Sequence, residues 1–426
     1  MTPGRRVEPL ILGLAIASIL GAFLTALGSL EEALTEHWLV IAAFVAAIAI
    51  GDVFRVQMPS GRVMTPVATS SAIGLAVLGP VEGEAPFDVP AGVVLIIVAA
   101  ASGVGLGLCR LFGRPVDWTA GAVRTIGVGI TAALMRNLPL ADGGPWAWQL
   151  NPDKPRWLIA VIMLGVAAAG LYVDLVLTGL VRAQRRSMPM RRALAEELGE
   201  AQSLTLGLLA AGPLVALLAP IVGLAGLPLG LLPVVLTHIA VRRFVTNRET
   251  YRQTIATLSR LTEVAGYTPT GHAARVASLS VGIGRAMDLP SAEVEDLEYA
   301  ALLHDLGQVG LRSPIPEGAT VLAAPDDQRR IASEGATIVR RTEVLDRVAD
   351  LMERQTMPFR HVREWGEEIP VPSRIIKVAN AFDDFSHGST DPDAVAAALE
   401  RINLGLGYEY DPEVVDALIR SIPAQP

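Results

Sequence analysis

The feature that most restricts what this chain can fold into is the succession of apolar stretches in its first 241 residues. They are Leu10–Leu27, Trp38–Phe54, Met64–Gly79, Ala91–Phe112, Trp118–Met135, Trp157–Val181, Ser203–Leu218 and Leu224–Val241. With 51% hydrophobic residues and a mean hydropathy of +0.44 across the 426 residues, one large water-soluble core does not account for them. They predict helices that cross a bilayer, because a helix satisfies its own backbone polar groups where no water is at hand. Met64–Gly79 is short, and a re-entrant segment is the alternative for it.

Charge placement sets the count. Arg5 and Arg6, Arg55 and Arg62, Arg110 and Arg114, the cluster Arg182–Arg192, and Arg242 and Arg243 fall in alternate gaps between stretches. Glu31, Glu32 and Glu36 mark the first of the other gaps, and Glu82, Glu84 and Asp88 the next. The Trp146-Ala147-Trp148 loop is an exception, flanked by Arg136, Lys154 and Arg156. Positive residues stay on the cytoplasmic side, which predicts eight spans with both termini cytoplasmic, in a bacterial-type inner membrane. Trp38, Trp118 and Trp157 sit where interfacial anchors belong. The first stretch is too long for a cleavable signal peptide and lacks a small-x-small exit. Arg124 and Asp174 lie well inside spans at nearly equal depth. They are predicted to face each other as a structural ion pair, because a lone charge in lipid is costly.

The remainder of the chain is of another kind. Residues before Val241 carry 15 basic and 15 acidic side chains, and the rest carries 20 and 28, so the net charge of −8 belongs to the C-terminal part. That acidity excludes a nucleic-acid surface, which needs a basic patch. The single Cys109 rules out an internal disulfide and suits a reducing compartment. Arg242–Ala265 places Phe244, Tyr251, Ile255, Leu258 and Leu261 or Thr262 close to a seven-residue repeat, which predicts a linker helix that pairs with its twin in a homodimer. Asp391-Pro392 and Asp411-Pro412 each read as an N-cap followed by proline at the first helical position. No strand alternation of any length appears. Gly282-x-Gly284 lies within a helical pattern and is a weak match to a nucleotide-binding loop.

The chemistry concentrates in AALLHDLGQVG, Ala300–Gly310. An apolar helix ends at His304-Asp305, and at a helix end both side chains can lean on one metal ion. His272, at the start of its own helical stretch, is the third candidate ligand. A buried His–Asp hydrogen bond between helices is the plain alternative. With their neighbours, these residues resemble the HD-GYP family of cyclic-dinucleotide phosphodiesterases within the HD phosphohydrolases. The likeness rests on Gly266–Val276, Leu302–Gly310 and Ile369–Ala379, in that order, and extends from about Thr246 to Ile422.

The resemblance implies an all-α protein in three parts: a membrane sensory domain at 1–241, a linker helix at 242–265 and an HD-type cytoplasmic domain at 266–426. It also implies His272, His304 and Asp305 as metal ligands, with Asp305 catalytic. Several positions depart from the family pattern. Gln308 replaces a lysine, Ile331–Ala336 lacks the middle histidine, and Leu351–Trp365 lacks the paired histidines and the Gly-Tyr-Pro signature. Asn380 stands for the final aspartate. His361 is the one histidine left in Leu351–Trp365, and its arginine neighbours predict a solvated loop. The set suffices for one divalent ion, iron or manganese, or for none. The reading that follows is a membrane receptor with a catalytically impaired output domain that binds a cyclic dinucleotide or a signalling protein. The alternatives are a single-metal phosphohydrolase and a transporter with a regulatory HD domain.

Overall fold

A computed structural model describes residues 7–58, 63–140, 143–185, 188–311, 315 and 318–422. They form helices throughout, apart from one two-stranded hairpin and an isolated bridge. The chain divides into two compact units between Thr246 and Asn247. Arg5, Arg6, Arg62 and Arg186 from the charge pattern lie outside the described residues.

The N-terminal unit contains α1 (Val7–Glu36), α2 (Trp38–Val53), the hairpin β1 (Val56–Gln57) and β2 (Val63–Met64), α3 (Pro66–Val77), α4 (Ala91–Leu111) and α5 (Trp118–Asn137). There follow α6 (Gly144–Trp148), α7 (Arg156–Arg185), α8 (Met190–Val222) and α9 (Gly226–Val264), and the division between units falls within α9. Each apolar stretch read from the sequence coincides with a helix. Among the described residues, α1, α4, α5, α7 and the run Leu204–Val264 are long and apolar enough to cross a membrane. The outer surface of α1 is leucine, with Leu10, Leu14, Leu20 and Leu24 all more than half exposed. Such a face suits a hydrocarbon solvent rather than water. The run Leu204–Val264 folds back on itself at Gly223, whose φ of 60° is left-handed. Gly230 then lies against Val215, and Gly207 against Val234.

Two stretches fall outside that set: α2, with 16 residues, and more markedly the third stretch. At 12 residues α3 is about 18 Å long, well short of a ~30 Å hydrocarbon core. It is buried along most of its length and packs against α2, α5 and α8. Leu78–Pro90 then runs without helix, with Leu78, Val81, Phe87 and Val89 buried. Side chains satisfy this irregular backbone: Trp146 Nε1 donates to the Leu78 carbonyl (3.1 Å) and Arg136 Nε to that of Val89 (2.7 Å). Non-helical backbone inside an apolar unit requires such partners.

Arg124 does not pair with Asp174. Its guanidinium grips Asp52 of α2 through both carboxylate oxygens (2.6 and 2.8 Å), with Thr65 Oγ1 at 3.0 Å and Ser102 Oγ at 2.8 Å. Equal depth on consecutive spans put Asp174 close, and α5 and α7 do approach closely, with Gly127 against the Gly170 carbonyl. Depth does not fix which way a side chain turns. Arg124 turns to α2 and α4, where Asp52 and Ser102 are both buried.

The C-terminal unit holds the last turns of α9, then α10 (His272–Ala286), α11 (Ser291–Leu303), α12 (Pro325–Arg340), α13 (Asp346–Arg354) and α14 (Arg360–Trp365). It ends with α15 (Val371–Ser386), α16 (Pro392–Leu404) and α17 (Pro412–Ser421). The central helix is α15, packed by α10, α11, α16 and α17. Asp391 and Asp411 cap α16 and α17 by accepting from the Ala394 and Glu413 amides, each with proline at the first helical position. Ile255 and Thr262 of α9 are buried in this unit.

Candidate metal centre

Two helix ends and the middle of a third helix bring the site together. Gly271, with φ 78°, turns the chain so that α10 begins at His272. Helix α11 ends at Leu303, so His304 and Asp305 leave on a tight 3-10 turn, Leu306–Gly310. Gly307 lets that turn lie on α12, because a Cβ there would overlap the Ile331 carbonyl oxygen. Asn380 comes from the middle of α15.

His272, His304 and Asp305, the three residues named from the sequence, meet in the interior. Each is at most 3% exposed. His272 Nε2 lies 3.3 Å from Asp305 Oδ2 and 3.4 Å from His304 Nε2, and His304 Nε2 lies 3.2 Å from Asp305 Oδ2. Asn380 Oδ1 adds a fourth atom, 3.2 Å from His304 Nε2, and its amide nitrogen donates to Thr320 Oγ1 (2.9 Å), which holds the oxygen on this point.

The surroundings fit a cation. His272 Nδ1 lies 2.8 Å from Asp383 Oδ2 and His304 Nδ1 lies 2.8 Å from the Ala301 carbonyl. Both Nδ1 protons are thereby used, and each neutral ring turns its Nε2 lone pair toward Asp305. Asp305 Oδ2 is buried and accepts no conventional hydrogen bond. An orphaned carboxylate oxygen facing two imidazole lone pairs is the donor set of a divalent transition metal. Without an ion, a proton takes its place. Burial works against charge on His272, but the Asp305 and Asp383 carboxylates, which the protonated ring faces with both nitrogens, outweigh it and push its pKa up to about 10. Burial raises the Asp305 carboxyl, yet the two histidines hold it well below the carboxylate range.

Asp383 and Asp384 were not among the residues singled out from sequence. Asp383 is shared between His272 and Arg275, whose Nε and Nη2 donate at 2.7 and 2.9 Å. Asp384 accepts from the Val321 amide (3.2 Å), and burial pushes its carboxyl up to about 6 against the pull of His272. The pair lies one turn beyond Asn380 on α15, which was the available signal. Gln308, where the family pattern has lysine, is fully buried, and neither end of its amide has a partner.

A cavity of about 560 Å³ opens beside His304 and Asp305, bordered by Gln355, Lys377, Arg360 and Tyr410. Lys377 Nζ donates to the Thr356 carbonyl (2.8 Å) and pairs with Glu409 (3.0 Å). His361 borders the same cavity, which corrects the expectation of a solvated loop. Arg360–Trp365 is a short helix in which the His361 ring lies 4.1 Å from that of Trp365 and its Nδ1 3.0 Å from Glu367. Its arginine neighbours turn aside, Arg360 over the Tyr408 ring, and leave the imidazole half-buried.

Comparison with known proteins agrees with this geometry. Residues 270–384 match the HD domain family. A cyclic di-GMP phosphodiesterase of Thermotoga maritima is 25% identical over 190 residues, 42% of this chain. The chain spans about half, 51%, of that relative's length. No solved structure matches the chain significantly. These matches support an HD-family domain at residues 270–384.

Proposed function

We propose that this chain is a membrane-anchored signalling protein whose HD-type domain holds one divalent transition metal, iron or manganese, and binds a cyclic dinucleotide with its hydrolysis impaired. The convergence of His272 Nε2, His304 Nε2 and Asp305 Oδ2 within 3.4 Å of one another carries this reading. When bound, such an ion supplies Lewis acidity and lowers the pKa of its water. Asp305 contributes the negative charge, and Asp383 and the Ala301 carbonyl orient the two imidazoles. Asn380 offers only a neutral oxygen. Arg360 supplies a cation along the cavity wall, suited to ligand phosphates, while Lys377 beside it is matched by Glu409.

Impairment follows from the ligand count. A two-metal clamp on a phosphodiester needs a second set of acidic ligands. Asp383 is engaged by Arg275 and His272, and Asn380 has no charge to give. The length and apolar surface of α1, α4, α5 and α7 support anchoring in a membrane, and the arginines in alternate gaps between the apolar stretches support a C-terminal unit on the cytoplasmic side. The exposed stripe Tyr251, Leu258 and Leu261 on α9 supports a second copy of the chain as partner.

The test uses the full chain in lipid nanodiscs, loaded with manganese or iron(II). Elemental analysis is expected to find one ion per chain, and cyclic di-GMP is expected to bind without appreciable turnover. Turnover above ~1 s⁻¹ that Asp305→Ala abolishes would overturn the impairment, leaving an ordinary phosphodiesterase. Absence of any bound ion would overturn the metal site.

A further inference from the structure

The N-terminal unit encloses a cavity of about 370 Å³ between α3, α5, α7 and α8, remote in sequence from the metal ligands. Arg124 lines it and is 5% exposed. A guanidinium has five N–H donors. Four of them are accounted for by Asp52, Thr65 and Ser102. The fifth, on Nε, is buried and has no acceptor. Buried donors are rarely left so, and one on a side chain that lines a cavity is a place for a ligand oxygen once that side chain shifts.

The charges around the cavity select the ligand. Three arginines line the cavity, and each is matched: Arg124 by Asp52, Arg182 by Glu197 at 2.6 Å and Arg185 by Glu8 at 2.7 Å. Of the carboxylates on the wall, Asp117 caps α5 by accepting from the Thr119 and Ala120 amides, and Asp174 is itself partnered. An anion entering here finds its cations already matched, and a cation finds the carboxylates likewise engaged. Leu171, Leu175 and Leu208 give the cavity apolar wall, and Thr65, Thr69 and Thr178 add hydroxyls. Tyr172 lines the cavity and is 66% exposed, so the opening lies on the outer face of the unit.

We infer that this cavity is a binding site for an uncharged, amphipathic small molecule, held by a carbonyl-type oxygen that accepts the Arg124 Nε–H, with its apolar remainder against Leu171, Leu175 and Leu208. The molecule enters beside Tyr172. This site is independent of the metal centre, and failure of one leaves the other standing.

Prodan, an uncharged aromatic ketone whose emission responds to hydrogen bonding at its carbonyl, is a suitable probe for the full chain in nanodiscs. Empty nanodiscs give the linear uptake into lipid, and the protein is expected to add a saturable component of one probe per chain. Thr178→Phe fills the cavity, and Arg124→Lys keeps the charge but removes the Nε–H. Each is expected to weaken the saturable component at least tenfold with metal content unchanged. Ala168→Leu is a second, milder filling variant should Thr178→Phe elute from gel filtration as aggregate. 2-Ethylnaphthalene, which lacks the ketone, is expected to compete at least tenfold worse than prodan itself. No saturable component, saturable binding indifferent to the filling variants, or equal competition by ethylnaphthalene overturns the site. So does native mass spectrometry that finds a phospholipid held there and not displaced by prodan.

Discussion

The Nδ1 atoms of His272 and His304 are occupied by Asp383 and the Ala301 carbonyl, so protons and a metal ion compete for the two Nε2 positions. In the metal-free site His272 titrates near 10 instead of its usual 6.5. A raised histidine pKa contributes stability that is complete below about pH 6.5 and is lost as pH climbs toward 10. Metal binding needs the neutral ring, so its affinity runs the opposite way and grows over the same window as fewer protons must be expelled. With EDTA the melting temperature is therefore expected to fall between pH 6.5 and 9.5, while the increment brought by manganese rises. A manganese increment that is flat across this range would be inconsistent with protons and metal sharing the site. Charge at the fourth ligand offers a second check. Asn380→Asp is expected to tighten manganese on the ~10–100-fold scale of changes near a metal ligand, and Asp305→Asn to abolish stoichiometric binding, both read by isothermal calorimetry. The triad itself was legible in sequence because His304 and Asp305 are adjacent and His272 opens a helix. Asp383 was not, because its partner lies 111 residues away and only packing joins them.

Between elements, two close approaches carry the folding of the units. Gly307 presses the turn after Asp305 onto α12, and Gly307→Ala must push the Ile331 backbone away. A loss of several kcal/mol is expected, as for overpacking against an unyielding backbone, with the metal site lost alongside. Chemical denaturation of the variant, followed together with manganese content, reads both. In the N-terminal unit the Arg124–Asp52 pair ties α5 to α2. Removing one partner strands the other, at a cost of roughly 3–5 kcal/mol. Arg124→Gln and Asp52→Asn are each expected to lower the melting temperature in detergent, the double variant losing far less than their sum. A coupling with Asp174 as large as that with Asp52 would refute the assignment. Asp52 was hidden in the sequence by its place one residue before the end of α2, where a charge reads as belonging to the loop.

For the molecule as a whole, the apolar runs gave the helix positions directly, because a hydrophobic stretch of that length has few other folds open to it. They marked the third stretch as short but did not disclose that α3 is enclosed by its neighbours. Hydropathy measures what a segment avoids, and a protein interior and a lipid interior satisfy it equally. Self-association is the property of the whole chain most open to measurement. On α9, Ile255 and Thr262 face the core, whereas Leu258 and Leu261 are 37% and 51% exposed. Replacing Leu258 and Leu261 by aspartate leaves the buried side intact and is expected to turn a dimer into a monomer in detergent-corrected light scattering. A chain that is monomeric before the change would remove the second copy from the proposal.

Gln308 is fully buried with neither end of its amide bonded, in the turn that Gly307 seats on α12. An unmade amide of this sort costs on the order of 1–3 kcal/mol. Methionine has nearly the same length and shape and no polar end. Gln308→Met thus offers a route to hardening the domain against heat by several degrees without touching a single metal ligand. The least accommodated side chain beside the metal centre is in this sense its simplest handle for thermal engineering.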